Sequence, residues 1–179
     1  MIRRGFTIVE LIITITIMGI LLTLAVVNLT STQVNARDSE RRGDAEAITL
    51  NLESYYNNDS QDSSGNFLNS GGTYPGSSYI STATTFSRVL PDIDPKSTHA
   101  PGVDLSDPMS LVAATNTVQT VTGIQPLPSK SNDVYVYQPL TATGTLCTDP
   151  SISGDCRKFN IFYYQEGSNT VEKIMSKNQ

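Results

Sequence analysis

One carboxylate stands inside an otherwise apolar run. From Phe6 to Leu29 the chain reads FTIVELIITITIMGILLTLAVVNL, 24 residues with a single charge, Glu10, and no proline. A carboxylate in hydrocarbon costs roughly 2.5–3.5 kcal/mol on insertion scales and calls for a partner. Cleavage after Gly5 would supply one, because Phe6 would then carry a free cationic α-amine at membrane depth, within reach of a neighbouring chain's Glu10. Other groups able to do chemistry are few. Cys147 and Cys156 are the two thiols, and His99, between Thr98 and Ala100-Pro101-Gly102, is the single imidazole. That turn setting reads as surface. Asp92, Asp94, Asp104 and Asp107 cluster oxygens, but a calcium site needs 6–8 of them, and solvated or helix-capping acids are the favoured reading. No phosphate-cradling glycine loop, Gly-x-Ser-x-Gly or His-Glu-x-x-His occurs. The expectation is a protein that is not an enzyme, with no cofactor and no metal site.

The element that carries Glu10 must be a membrane helix. About 20 apolar residues cross a bilayer, and Thr7, Thr14, Thr16 and Thr23 can return their hydroxyls to the helix backbone. Arg3 and Arg4 precede the run without an acid, so this end stays cytoplasmic and the following chain is exported. A cleaved secretory signal fits poorly, since no Ala-x-Ala-like site follows the run. The small residue, Gly5, lies before it.

Gly5-Phe6-Thr7-Ile8-Val9-Glu10-Leu11, behind a basic leader and ahead of a long apolar helix, resembles the class III signal of type IV pilins and pseudopilins. The resemblance implies removal of the leader between Gly5 and Phe6 by a prepilin peptidase, N-methylation of Phe6, and docking of Glu10 onto a neighbour's N-terminal amine. It also implies a homopolymer with other pilins, an inner-membrane platform protein and an assembly ATPase as partners. The motif covers about the first 25 residues; beyond them the likeness is one of architecture. Many long pilins carry a proline within the apolar helix, and Ala25-Val26-Val27 has none, so no proline kink is expected.

No proline occurs before Pro75, so a helix from Phe6 can run on to about Asn57, some 78 Å at ~1.5 Å per residue. Beyond the span, Val34, Arg41, Ala45, Ile48, Leu52 and Tyr55 recur on one helical face. The Arg41–Arg42 pair with its surrounding acids reads as a solvated face. The sharper alternative has Arg37, Arg41 or Arg42 meeting an acid of another subunit.

The fold class expected is α+β: a long N-terminal helix, apolar in its first half, packed on a C-terminal antiparallel sheet through a long loop-rich connection. Residues 1–5 are the leader, 6–30 the transmembrane and polymerisation helix, 31–57 its amphipathic continuation, 58–133 a loop-rich variable region, and 134–179 the sheet with its disulfide loop. Within the variable region, short helices are expected at Ala83–Leu90 and Pro108–Ala114, the second capped by Ser106 or Asp107, and a strand at Val118–Ile124. Val134–Gln138, Lys158–Gln165 and Thr170–Met175 are β-branched and aromatic, and Glu166–Asn169 suits a hairpin connection. Phe159, Ile161, Tyr163, Val171 and Ile174 are expected to face inward. In an exported domain Cys147 and Cys156 read as a disulfide, with two free thiols as the alternative. The resemblance favours the bond.

The chain has 179 residues, a formal charge of −5 and a pI near 4.7, with 20 Ser, 21 Thr and only 16% charged residues. An acidic balance argues against a general nucleic-acid binder, and no direct nucleic-acid site is identified. The leading expectation is a structural subunit of a type IV pilus, in the membrane before assembly with its head extracytoplasmic and in a cell-surface pilus after it, serving adhesion, twitching motility or DNA uptake. A pseudopilin of a type II secretion or competence system is the alternative. A signal-anchored extracytoplasmic protein is the third.

Overall fold

The computed structural model describes residues 5–58, 60–61, 67–69, 71–80, 83–149 and 155–178. The leader Met1–Arg4 and the tip of the Cys147–Cys156 loop lie outside them.

A single helix, α1 (Ile8–Asn57), runs without interruption for 50 residues. Nothing in it breaks the backbone ladder: it holds no proline, and its threonines bond within their own turns. Thr14 and Thr23 donate to the carbonyls of Leu11 and Ile20 at 2.8 and 2.7 Å, and Thr16 and Thr30 to those of Ile12 and Val26 at 2.7 and 3.2 Å. A hydroxyl satisfied in this way can sit in hydrocarbon. No residue in the most apolar 18-residue stretch of α1 is buried. The head begins at its second half, where Ala45, Ile48, Leu52 and Tyr55 are buried.

Strands β3 (Leu111–Ala113), β4 (Tyr135–Thr141), β5 (Cys156–Gln165) and β6 (Thr170–Met175) form one sheet in the order β3-β4-β5-β6. The β4–β5 and β5–β6 pairs are antiparallel, as the sequence suggests, but β3 lies parallel to β4. The sheet is therefore mixed. A separate small pair, β1 (Ser60–Gln61) with β2 (Phe67–Asn69), is antiparallel. Two short helices, α2 (Ser77–Ile80) and α3 (Ala83–Val89), precede a 3₁₀ turn at Pro95–Thr98.

Both faces of the sheet are covered. On the α1 side, Tyr135, Tyr137, Phe159, Ile161 and Tyr163 pack against the helix stripe and against Tyr74, whose ring meets Phe159 edge-on with centroids 4.7 Å apart. On the far side, Val136 and Phe162 are fully buried beneath Ala114 and Ile124. Gln138 fixes that covering segment, donating from Nε2 to the carbonyls of Asn116 and Val118 at 2.8 and 2.9 Å.

Three local expectations are corrected. Residues 108–114 do not form a helix: Ser110 receives the Ala100 N–H at Oγ, donates its own N–H to Thr98 and accepts the Tyr135 N–H, which commits the next residues to β3. The segment 118–124 is not a strand, because Val118 gives its carbonyl to the Gln138 side chain and Gly123 closes a turn on Thr120. Val171 does not share a face with Ile174. Successive strand residues alternate faces, so residues three apart must oppose each other, and Val171 lies on the far side while Ile174 joins the α1 side.

Candidate functional site

Thr7 starts α1 by geometry that its sequence dictates. Its backbone is extended (φ −83°, ψ 151°), its Oγ1 accepts the Glu10 N–H at 3.2 Å, and Glu10 Oε2 accepts the Thr7 N–H at 3.0 Å. The Thr7 hydroxyl also donates to Glu10 Oε2 at 2.9 Å. This reciprocal capping box satisfies two of the orphan donors at a helix start. It also holds the Glu10 carboxylate at the N-terminal end, where the helix dipole favours negative charge.

Gly5 and Phe6 precede the helix in an exposed, non-helical segment, with Phe6 84% exposed. The Gly5–Phe6 peptide bond is thus free of helical hydrogen bonding, as a protease needs. A Cβ added at Gly5 would meet no atom within 4 Å. Among the described residues, then, nothing in the chain's own packing requires glycine at position 5.

The apolar face that follows is complete around the helix. Ile8, Val9, Leu11, Ile12, Ile13, Ile15, Ile17 and Met18 are each more than half exposed, and so are Ile20, Leu21, Leu22, Leu24, Val26 and Leu29. Apolar surface of this extent exceeds what a soluble monomer exposes. It has two suitable surroundings, lipid and other helices of its kind.

The helix leaves the head at a charged collar. Arg41, 3% exposed, gives Nε to Asp133 Oδ1 at 3.0 Å and Nη1 to Asp38 Oδ1 at 3.1 Å, with Glu166 Oε2 3.8 Å away. Burial opposes the Arg41 charge, and Asp133, then Asp38 and Glu166, outweigh that effect, so its pKa is raised. Glu166 in the β5–β6 turn receives Arg37 through two bonds of 3.0 Å and Lys130 at 2.7 Å. Asp38 in turn accepts the Glu166 and Gly167 N–H groups at 2.7 and 2.8 Å. The expected solvated face therefore applies to Arg42, which pairs with Glu46 in the open at 2.9 Å, and not to Arg41. Arg37 and Arg41 place their charge on acids of the same chain. The α1 stripe already contained Arg41 by period; what sequence reasoning missed was its set of distant partners.

At the other end of the head, Cys147 and Cys156 are bonded, with Cα atoms 5.6 Å apart. Tyr74 donates its N–H to the Cys156 carbonyl at 2.8 Å and Ser77 to the Cys147 carbonyl at 3.0 Å. The bridge thereby holds residues 74–77 against the sheet.

The remaining candidates have structural uses. Asp94 caps the 3₁₀ turn by accepting the Lys96 N–H at 2.9 Å. Asp104 accepts the N–H and hydroxyl of Ser106 at 2.9 and 2.8 Å, which lowers its pKa. His99 Nδ1 lies 2.8 Å from the Pro95 carbonyl. Among the described residues no group of three or more His, Cys, Asp or Glu is placed to hold a metal ion.

Residues 1–26 match the family model described as the prokaryotic N-terminal methylation motif. No curated protein and no solved structure matches the chain. The matched residues contain Gly5, Phe6 and Glu10, the capping box and most of the exposed apolar helix.

Proposed function

We propose that the chain is a structural subunit of a type IV pilus, cleaved after Gly5, N-methylated on Phe6, held in the membrane by α1 and polymerised through it. The observation that carries this reading is one continuous α1 that presents Glu10 and an all-round apolar surface ahead of a folded head. The methylation motif over residues 1–26 supports a pilin-like or pseudopilin precursor with a structural role, processed by a prepilin peptidase and anchored in a membrane.

Assembly exchanges one apolar surrounding for another. Lipid tails are as apolar as leucine, so moving α1 from bilayer to filament core has little hydrophobic driving force of its own, and packing and polar pairing must decide it. Glu10 supplies the polar term by leaving its self-capping bonds with Thr7 for the cationic amine of a neighbour's Phe6. In a low-dielectric core such a pair is strong and little screened, and it fixes the axial register of one helix against the next. An assembly ATPase and a platform protein supply the work of extraction. The finished filament serves at the cell surface in adhesion, twitching motility or DNA uptake.

The test is Glu10→Ala beside Glu10→Gln. Both should be cleaved as wild type and should lose most filaments, because neither carries the charge. Wild-type filament numbers in Glu10→Ala would remove the carboxylate from the mechanism. A pseudopilin reading is separated by where the polymer is found: in sheared surface fractions for a pilus, and in the envelope for a secretion pilus.

A further inference from the structure

The head carries an apolar hole and an apolar knob on opposite edges of its sheet. The hole, about 300 Å³, opens between α3, the 3₁₀ turn and the loop before β3, and is lined by Phe86, Leu90, Ile93, Pro95, Leu105 and Met109. It adjoins the β3 edge, since Met109 leads into Ser110, whose carbonyl and hydroxyl tie β4 and Ala100 together. Its mouth is acidic: Asp107 lines it, Asp92 lies between the lining residues Pro91 and Ile93, and Asp104 precedes Leu105. The cations of that segment are Arg88, at the end of α3, and Lys96, which is turned to Glu40 on α1 at 3.0 Å.

The knob is Met175, the last residue of the other edge strand, β6, and 52% exposed. Lys173 and Lys177 stand two residues to either side of it. Lys158 lies two residues from Asn160, the partner of Met175 on β5, and so on the same face. Glu172 points to the opposite face, across from Tyr163. A methionine is well suited to an irregular apolar hole. Lys158 and Lys173, the latter with its Nζ 3.4 Å from the Gln119 carbonyl, share its face, and Lys177 follows it in the chain. This basic surround complements Asp107 at the mouth and its neighbours Asp92 and Asp104.

We infer that Met175 of one copy seats in the Phe86–Met109 hole of the next, with Lys158, Lys173 and Lys177 facing Asp92, Asp104 and Asp107. The contact is heterologous, because the two surfaces differ and lie on opposite edges, and a heterologous contact that does not close generates a filament. It rests on the polymer reading above and adds to it a head-to-head contact. The helices alone would set the rise; this contact orients the heads.

The test places cysteines at two exposed positions, Leu105→Cys and Met175→Cys, in one chain, and examines its polymers on non-reducing gels after mild oxidation. The double variant should give a ladder of multimers, whereas co-assembled single variants should give dimers only. Filaments of the double variant that run as monomers would overturn the contact while leaving the polymer reading intact. A second series reverses charge. Asp104→Lys with Asp107→Lys should lose filaments, and adding Lys173→Glu with Lys177→Glu should restore them. If the double cysteine variant does not polymerise, this series decides, and absent recovery overturns the contact. A wild-type chain that forms no polymer would instead overturn the polymer reading itself.

Discussion

Arg41 and Asp133 stand 92 positions apart and are joined by two parallel hydrogen bonds, Nε to Oδ1 at 3.0 Å and Nη2 to Oδ2 at 3.2 Å. This pair ties the loop ahead of β4 to α1 just above the exposed apolar half. Removing one partner of a buried pair leaves an uncompensated charge, at a cost of about 3–5 kcal/mol. Asp133→Ala should fall at about 3 kcal/mol, since Asp38 and Glu166 stay with Arg41. Urea unfolding of the chain in detergent, followed by circular dichroism, measures it. A change below 0.5 kcal/mol would show that the collar does not hold the head to the helix.

The collar also sets an acid limb. Lys130, then Arg37, hold the Glu166 carboxyl below its usual range. A carboxylate depressed in the folded state stabilises above its unfolded value, about 4.3, and that contribution fades as pH falls through the lower folded value. Thermal midpoints should therefore drop as pH is lowered from 5 towards 3, and Glu166→Gln should flatten the drop. An unchanged slope in the variant would assign the limb to other acids.

Asp44 carries the opposite sign. Burial raises its pKa, against the bond that it accepts from the Tyr135 hydroxyl at 2.8 Å. A carboxyl raised in the folded state favours folding while it is protonated and opposes it as pH rises through the folded value. Asp44→Asn keeps an acceptor for Tyr135 without the buried charge, so it should match or exceed wild-type stability at pH 7. Tyr135→Phe, which leaves the carboxylate without that donor, should lower it.

Gly167 marks where the β5–β6 turn meets α1. A Cβ there would lie 3.0 Å from Asp38 Oδ2 and 3.5 Å from Val34 Cγ1. Asp38 cannot retreat without stretching its bonds to the Glu166 and Gly167 N–H groups. Gly167→Ala should cost about 1–2 kcal/mol, in the range of overpacking, in the same urea experiment.

Loss of the Cys147–Cys156 bridge should cost roughly 2.5–3 kcal/mol on the chain-entropy estimate for a loop of this size. The damage should centre on residues 74–77, which donate to both cysteine carbonyls. Hydrogen exchange in a Cys147→Ser/Cys156→Ser chain should show faster exchange at Tyr74 and Ser77 and little change in α1. Protection of those two amides equal to wild type would dismiss the bridge as their anchor.

The regular parts of this fold were readable because their signals are local. The 3.6-residue stripe from Val34 to Tyr55 predicts the docked half of α1, and the aromatic, β-branched runs predict β4, β5 and β6. Local signals misled where distant groups decided the outcome. Ser106, Asp107 and Pro108 look like a helix start, yet Ser110 is bound by Thr98, Ala100 and Tyr135, and the chain turns into β3. Val118–Ile124 has strand composition, but a glutamine of β4 takes its carbonyl. Arg41 shows two rules in conflict: its charge argued for solvent and its period for burial. Period prevailed because Asp38, Asp133 and Glu166 converge on it from three parts of the chain. At the N-terminus, the motif over residues 1–26, which includes Gly5, Phe6 and Glu10, was legible because it is local in sequence.

If α1 becomes a polymer helix after cleavage at Gly5, the chain in the sheared-filament fraction begins at Phe6. Tandem mass spectrometry of that fraction, with electron microscopy of the same sample, should find N-methylated Phe6 at the head of the abundant chain. An abundant chain still carrying Met1, in membranes without filaments, would overturn cleavage and polymerisation together.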